Sequence, residues 1–248
     1  QWKGSLLSLG LPAGVSIDLS DPSVTQVLTG GSSLKDIERL DLVTTNHDDT
    51  IVLGAGAAAY GNHLDTQNGD DTVTIHGGAT GATSGVNTVS MGTNGNDLLI
   101  ADYSAATVDV TFGFLSATGG TYDYYSNGFN GAQYSDAADG VLQFSGVDRF
   151  NVVTGSGNDS ITTGAGDDTI NAGSGDNTVM GGQGDDRFVF GGGKLAITDF
   201  QHTGSDIVVL GQNAGVFDFD ALQALIAADN TSDAVFSFAG GSTLTLKG

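Results

Sequence analysis

Between residues 155 and 190 an apolar side chain recurs every nine positions, at Ile161, Ile170, Val179 and Phe188. The units around them read GSGNDSITT, GAGDDTINA, GSGDNTVMG and GQGDDRFVF, beginning at Gly155, Gly164, Gly173 and Gly182 without a gap. Each passes from a glycine loop into a very short strand, where one apolar side chain points in and its polar neighbours point out. Two units make one coil, so loops two units apart stack about 4.8 Å from each other. A fixed period of this kind predicts a solenoid: an all-β, right-handed parallel β-roll or β-helix.

The same pattern appears upstream in worn form. Residues 37–56 align without gaps on residues 147–166, and Arg39, Val43, Thr44, Asp49, Ile51 and Gly54 each meet an identical residue 110 positions later. Following the register from Asp49, degenerate units place Asn62, Asp71, Asn87 and Asp97 at the position after the glycine loop. The aspartates therefore fall along one side of the coil and the asparagines along the other. Insertions such as GAGAAAY and HGGATGAT break the beat. Residues 103–147 alternate in the β manner without loop spacing. Their Tyr122, Tyr124 and Tyr125 lie in a Gly/Asn-rich insertion, read as a solvated loop, with a carbohydrate- or partner-contacting surface as the alternative.

At the C-terminal end, FDFDALQALIAAD carries helical spacing, with Asp218 as N-cap and Leu222, Leu225 and Ile226 on one face. A short capping helix is expected there, followed by a hairpin from AVFSFAG and STLTLKG. The chain divides into degenerate coils (1–102), connecting coils (103–147), regular nonapeptide coils (148–210) and a C-terminal cap (211–248).

Composition sharpens this picture. Acidic residues number 29 against 7 Lys+Arg, for a formal charge of −22, and Glu38 is the only glutamate. Aspartate is a turn residue and a hard-cation ligand, whereas glutamate favours helices. A chain that was merely soluble and acidic would use both. The alternate glycines admit left-handed backbone and bring carbonyls close to an ion, and the carboxylate that follows supplies a hard oxygen. Stacked carboxylates repel unless a divalent cation lies between them. The charge argues against nucleic-acid binding, and no apolar run is long enough to insert in a membrane. There is no cysteine. The start at Gln1 suggests a fragment or a processed form.

The four units resemble the RTX (repeats-in-toxin) calcium-binding nonapeptide, GGxGxDxUx. The resemblance implies several Ca²⁺ ions, each shared by the sixth-position aspartates and backbone carbonyls of two stacked loops. Carried over, the loops are formed by Gly155 with Gly157, Gly164 with Gly166, Gly173 with Gly175, and Gly182 with Gly184. Asp168 and Asp186 share one ion, and Asp159 and Asn177 share another. Asn177 departs from the pattern and weakens that second site unless Asp176 substitutes. The pieces ITDF and GSDIVVL resemble the segment that closes such rolls, where Asp199 and Asp206 complete a last site. In the worn half, calcium is expected along Asp49, Asp71 and Asp97 only. In the family a secretion signal lies at or beyond the C-terminal region, and this chain ends slightly short of the usual apolar tail.

No catalytic constellation emerges: His-Glu-x-x-His and Gly-x-Ser-x-Gly are absent, and His47, His63, His76 and His202 are scattered, with His47 at a loop-glycine position. Arg39 and Arg149 are each expected to pair with a nearby aspartate. The chain is read as non-enzymatic, secreted by the type I route and folded by calcium outside the cell. Its expected role is structural or adhesive, in an S-layer, filament or adhesin, through self-assembly or a cell-surface glycan. Two alternatives stand: the secretion and folding domain of a larger enzyme, or a β-helix that binds or cleaves polysaccharide.

Overall fold

The structure, a computed structural model, describes residues 7–8, 13–21, 23–28, 33–36, 39–54, 61–77, 86–113, 134–136, 140–200, 204–211 and 233–247. One long sheet runs through it. Its eight strands are Ser16–Leu19, Thr50–Leu53, Thr72–His76, Leu98–Asp102, Arg149–Val153, Thr169–Asn171, Arg187–Phe190 and Ile207–Leu210, each parallel to the next. Between visits to this sheet the chain enters one of two six-stranded sheets. The first includes Asp41–Val43, His63–Asp65, Val86–Ser90 and Gly140–Ser145, and the second includes Thr111–Phe112, Ser160–Ala165, Asp176–Gln183 and Lys194–Ile197. Two strands per coil and parallel pairing between coils make this an all-β parallel roll, as the nine-residue beat predicts.

Alternation along each strand builds the core. Ile51 and Leu53, Val73 and Ile75, Leu99 and Ala101, Phe150 and Val152, and Phe188 and Phe190 all face inward and are buried. The four beat residues Ile161, Ile170, Val179 and Phe188 are at most 2% exposed. Each such side chain contributes roughly 1.5–3 kcal/mol by leaving water.

Matched positions along the long-sheet edge lie 34, 22, 26 and 51 residues apart in the first half and 18, 18 and 20 in the second. The 51-residue step holds the handover between the two shorter sheets. There Phe112, Phe144 and Phe150, one from each sheet, pack with ring centroids 5.2–5.7 Å apart. Stacked and edge-on rings at this range are favoured aromatic arrangements and join the three sheets at this point.

The closing hairpin is present: Ala234–Ser237 runs antiparallel to Thr243–Leu246, which itself joins Lys194–Ile197. The expected helix over FDFDALQALIAAD, the tyrosine patch and the two early insertions lie largely outside the described residues. No helix among the described residues is long and apolar enough to cross a membrane.

Candidate metal centre

Every long-sheet strand from Thr50–Leu53 onward begins directly after an aspartate: Asp49, Asp71, Asp97, Asp148, Asp168, Asp186 and Asp206. All but the exposed Asp148 are buried at the corner of the roll, from 1% to 5% exposed. Their carboxylates stitch the coils together. Oδ1 of Asp71 accepts the Asp49 N–H at 2.8 Å, Oδ1 of Asp97 accepts the Asp71 N–H at 2.9 Å, and Oδ2 of Asp148 accepts the Asp97 N–H at 2.9 Å. After a break at Phe150 the ladder resumes. Asp168 takes the Phe150 N–H at 2.7 Å, Asp186 the Asp168 N–H at 3.0 Å, and Asp206 the Asp186 N–H at 3.0 Å.

An outer ladder runs beside the inner one in the opposite sense. Asp48 accepts the Asp70 N–H, Asp70 the Asn96 N–H, Asp167 the Asp185 N–H and Asp185 the Ser205 N–H, all at 2.9–3.0 Å. A pair of adjacent acidic or amide residues at each corner thus binds the coil before and the coil after. This explains the doubled Asp and Asn of the sequence.

The glycines are needed because these corners stack tightly. A Cβ on Gly182, whose φ is +103°, would lie 1.7 Å from the Gly164 carbonyl oxygen, and one on Gly184 (φ +133°) would lie 2.2 Å from that of Gly166. On the other edge a Cβ on Gly173 would lie 1.9 Å from the Gly155 carbonyl oxygen, and one on Gly175 would lie 2.1 Å from that of Gly157. Carbonyl oxygens therefore run along the roll beside the side chains of both edges. His47 stacks against Gly69 of the next coil, which places it at a loop-glycine position.

What differs from corner to corner is the second carboxylate oxygen. Asp49 Oδ2 accepts from the Thr44 hydroxyl and from the Thr45 N–H at 3.1 Å. Asp159 Oδ2 accepts from the Thr154 hydroxyl at 2.6 Å, and Oδ1 takes the Val110 N–H at 2.8 Å. Oδ2 of Asp71, Asp168 and Asp186 is buried with no partner. What the residue five positions earlier does with its side chain differs as well. Thr163 turns its hydroxyl to the Gly181 carbonyl at 2.9 Å, and Gly181 itself, five before Asp186, has no side chain to offer. A threonine stands five residues before Asp49, Asp71, Asp159 and Asp168 alike, so the spacing by itself does not tell which corner is closed.

Burial disfavours the charged form. It pushes Asp168 up to about 8 and Asp97 to about 7, with neighbouring carboxylates adding to the effect. Asp71 and Asp186 rise to about 6 for the same leading reason. Asp199, raised by burial and by Asp206, accepts the Gly181 and Gly182 N–H groups at 3.2 and 2.7 Å. Asp199, Asp206 and Asp186 are thus neighbours at the end of the column.

The other edge, expected to share a second ion between Asp159 and Asn177 within the loops of Gly155, Gly157, Gly173 and Gly175, is closed differently. Asn177 Oδ1 accepts the Asp159 N–H at 2.8 Å, and its Nδ2 donates to the Ala172 carbonyl at 2.7 Å. The Gly155 carbonyl accepts the Ser174 N–H at 2.9 Å, and the Gly175 carbonyl accepts the Lys194 N–H at 2.7 Å. Gly157 and Gly175 stack as the repeat requires, yet the side chains of this corner already have protein partners. Asn62 donates both N–H and Nδ2–H to Asn87 Oδ1, each at 2.9 Å. Asp176 does not stand in for Asn177. It lies on the outer side, where it takes the Lys194 ammonium at 2.7 Å, because the strand alternation that turns Asn177 in turns its neighbour out. Arg149 likewise donates to Asn96 at 2.8 Å rather than to an aspartate.

A hard divalent cation fits the inner corners: unpartnered buried carboxylate oxygens, stacked carbonyls and no soft ligand. Among the described residues no three Asp, Glu or His side chains converge on one point. The remaining oxygens must therefore come from the backbone, from hydroxyls or from water. Residues 153–193 match the model of the RTX calcium-binding nonapeptide repeat, in four copies. No curated protein matches the chain.

Proposed function

We propose that this calcium-binding RTX β-roll is a folding switch: a non-catalytic extracellular module that is unfolded where calcium is scarce and folds after export by the type I route. The observation that carries the proposal is the buried aspartate column with its unpartnered oxygens, in a chain of net charge −22. Without a cation the fold must bury carboxylates and order glycine loops, both of which favour the unfolded chain. Asp168, Asp186, Asp199 and Asp206, with the loop carbonyls, would hold the ions. A bound divalent cation supplies positive charge to the column and the missing coordination.

Extracellular calcium modules bind with dissociation constants on the order of 10⁻⁴ to 10⁻³ M, and a site held at 100 times that value adds about 2.7 kcal/mol. A few such sites match the roughly 5–15 kcal/mol net stability of a domain. Secretion and a structural or adhesive role at the cell surface follow as the use of such a module, because the fold offers long stacked sheets and an exposed acidic ladder. Circular dichroism in millimolar calcium and in excess chelator tests the switch. Equal β content in both would sink it.

A further inference from the structure

Asparagine is followed directly by glycine at positions 68, 94, 127 and 130, and the last two of these steps lie outside the described residues. Asn68 and Asn94 belong to an amide ladder on the outside of the first-half corner. Asn68 Nδ2 donates to Asn46 Oδ1 at 2.6 Å, and Asn94 Nδ2 donates to Asn68 Oδ1 at 2.8 Å. The two rungs occupy matched places on successive coils, yet their surroundings differ. The side-chain amide of Asn68 is held from both sides, and the Gly69 N–H that follows it donates to the Asn94 carbonyl at 3.2 Å. Asn94 is exposed, and its Nδ2 also reaches Thr93 Oγ1 at 3.5 Å. Its Oδ1 accepts nothing, and the Gly95 N–H donates to nothing, among the described residues.

The coil above explains the difference. Gly146 stacks on Gly92, and Asp148 takes the Asp97 N–H, so the two steps from Gly146 to Asp148 lie over a corner that takes five from Gly92 to Asp97. No rung is left to cover Asn94. The glycine beside it is fixed by the coil below. A Cβ on Gly95, whose φ is +132°, would lie 1.8 Å from the Gly69 carbonyl oxygen. The stack thus demands a glycine after the last asparagine of the ladder, and the short coil above leaves that pair open.

We infer that Asn94–Gly95 is a site of spontaneous deamidation in the folded protein, whereas the matched Asn68–Gly69 step is protected. The Gly95 amide nitrogen, unhindered by a Cβ and bound to no acceptor, attacks Cγ of Asn94. Its proton passes to a base in the solvent, the Cγ–Nδ2 bond breaks, and the side-chain nitrogen leaves as ammonia. Water then opens the cyclic imide at either carbonyl and gives aspartate or isoaspartate, so no oxidant or cofactor is required. At Asn68 the same attack must first give up the Gly69 hydrogen bond and the two amide contacts. Reaction at Asn94 removes the donor from Asn68 Oδ1 and puts a carboxylate in its place. The isoaspartate form also lengthens the backbone of a loop that has no room against Gly69. The inference depends on the stacked coils and not on which ion holds them.

The test incubates the full chain at mildly alkaline pH in the buffer, with or without calcium, that gives the β signal by circular dichroism, and in parallel in concentrated urea. Peptide mapping by mass spectrometry follows the two asparagines, and labelling by an isoaspartyl methyltransferase counts the isoaspartate formed. In the folded chain Asn94 is expected to convert at least several-fold faster than Asn68. In urea the two rates should converge, since both are then plain Asn-Gly steps. Equal rates in the folded chain, or faster loss at Asn68, would overturn the inference. So would an Asn94 that keeps its amide in the folded chain over the time in which the urea sample loses it.

Discussion

At the scale of single residues, the protein is governed by carboxylates that are buried before they are neutralised. The ordinary aspartate value of 3.8 applies to the unfolded chain, whereas in the fold Asp168 stands at about 8, Asp97 at about 7, and Asp71 and Asp186 at about 6. A raised folded value means that the folded state binds more protons than the unfolded one across that window. Stability from these groups is therefore fully present below about 4 and is lost as pH climbs through about 6 to 8. In chelator, whatever β signal circular dichroism finds is expected to be strongest near pH 5 and to fall towards pH 8. Calcium should flatten or reverse that slope, since it binds the ionised form. Asp168→Asn should remove the steepest part above pH 7. A β signal that rises with pH in chelator would contradict the buried-column account.

At the scale of strands and corners, the loops tolerate no side chain where they stack. Gly182→Ala would place a methyl group on a neighbouring carbonyl at positive φ. The expected cost is on the order of 3 kcal/mol, read as a lower melting temperature in saturating calcium. Phe188→Ala, at a fully buried position, should cost about 3–5 kcal/mol through the cavity it leaves. The coils themselves were legible beforehand: Ile161, Ile170, Val179 and Phe188 mark the beat, and the offset from Ile51 to Ile161 exposes the worn copy. The separation of Asp71 and Asp97 from Asn62 and Asn87 also follows from counting, because each coil contributes one residue to each edge. The handover at Phe112, Phe144 and Phe150 was not legible, since an insertion carries no period from which its partners can be counted. Nor was the contrast between Thr154, which donates to Asp159, and Thr163, which donates to the Gly181 carbonyl. Both precede an aspartate by five residues, and only the fit of neighbouring coils decides whether the hydroxyl reaches it.

At the scale of the whole molecule, two kinds of repulsion oppose folding, and they respond differently to salt. The outer ladder of Asp48, Asp70, Asp167 and Asp185 is exposed and open to screening. The inner column is not, because the cost there is desolvation rather than long-range repulsion. Sodium chloride at about 1 M shortens the screening length to about 3 Å and should relax the exposed ladder. It leaves Oδ2 of Asp71, Asp168 and Asp186 as bare as before. Magnesium carries the charge of calcium but demands near-ideal octahedral geometry and sheds water reluctantly, which suits stacked carbonyls poorly. Calcium at millimolar concentration is therefore expected to produce the β signal and a compact particle in small-angle scattering. Magnesium at the same concentration should do so weakly, and molar sodium chloride not at all. If sodium chloride folded the chain as well as calcium does, net charge alone would control folding and the inner column would be no more than a stitched corner. If only calcium folds it, the control lies in coordination at the buried aspartates.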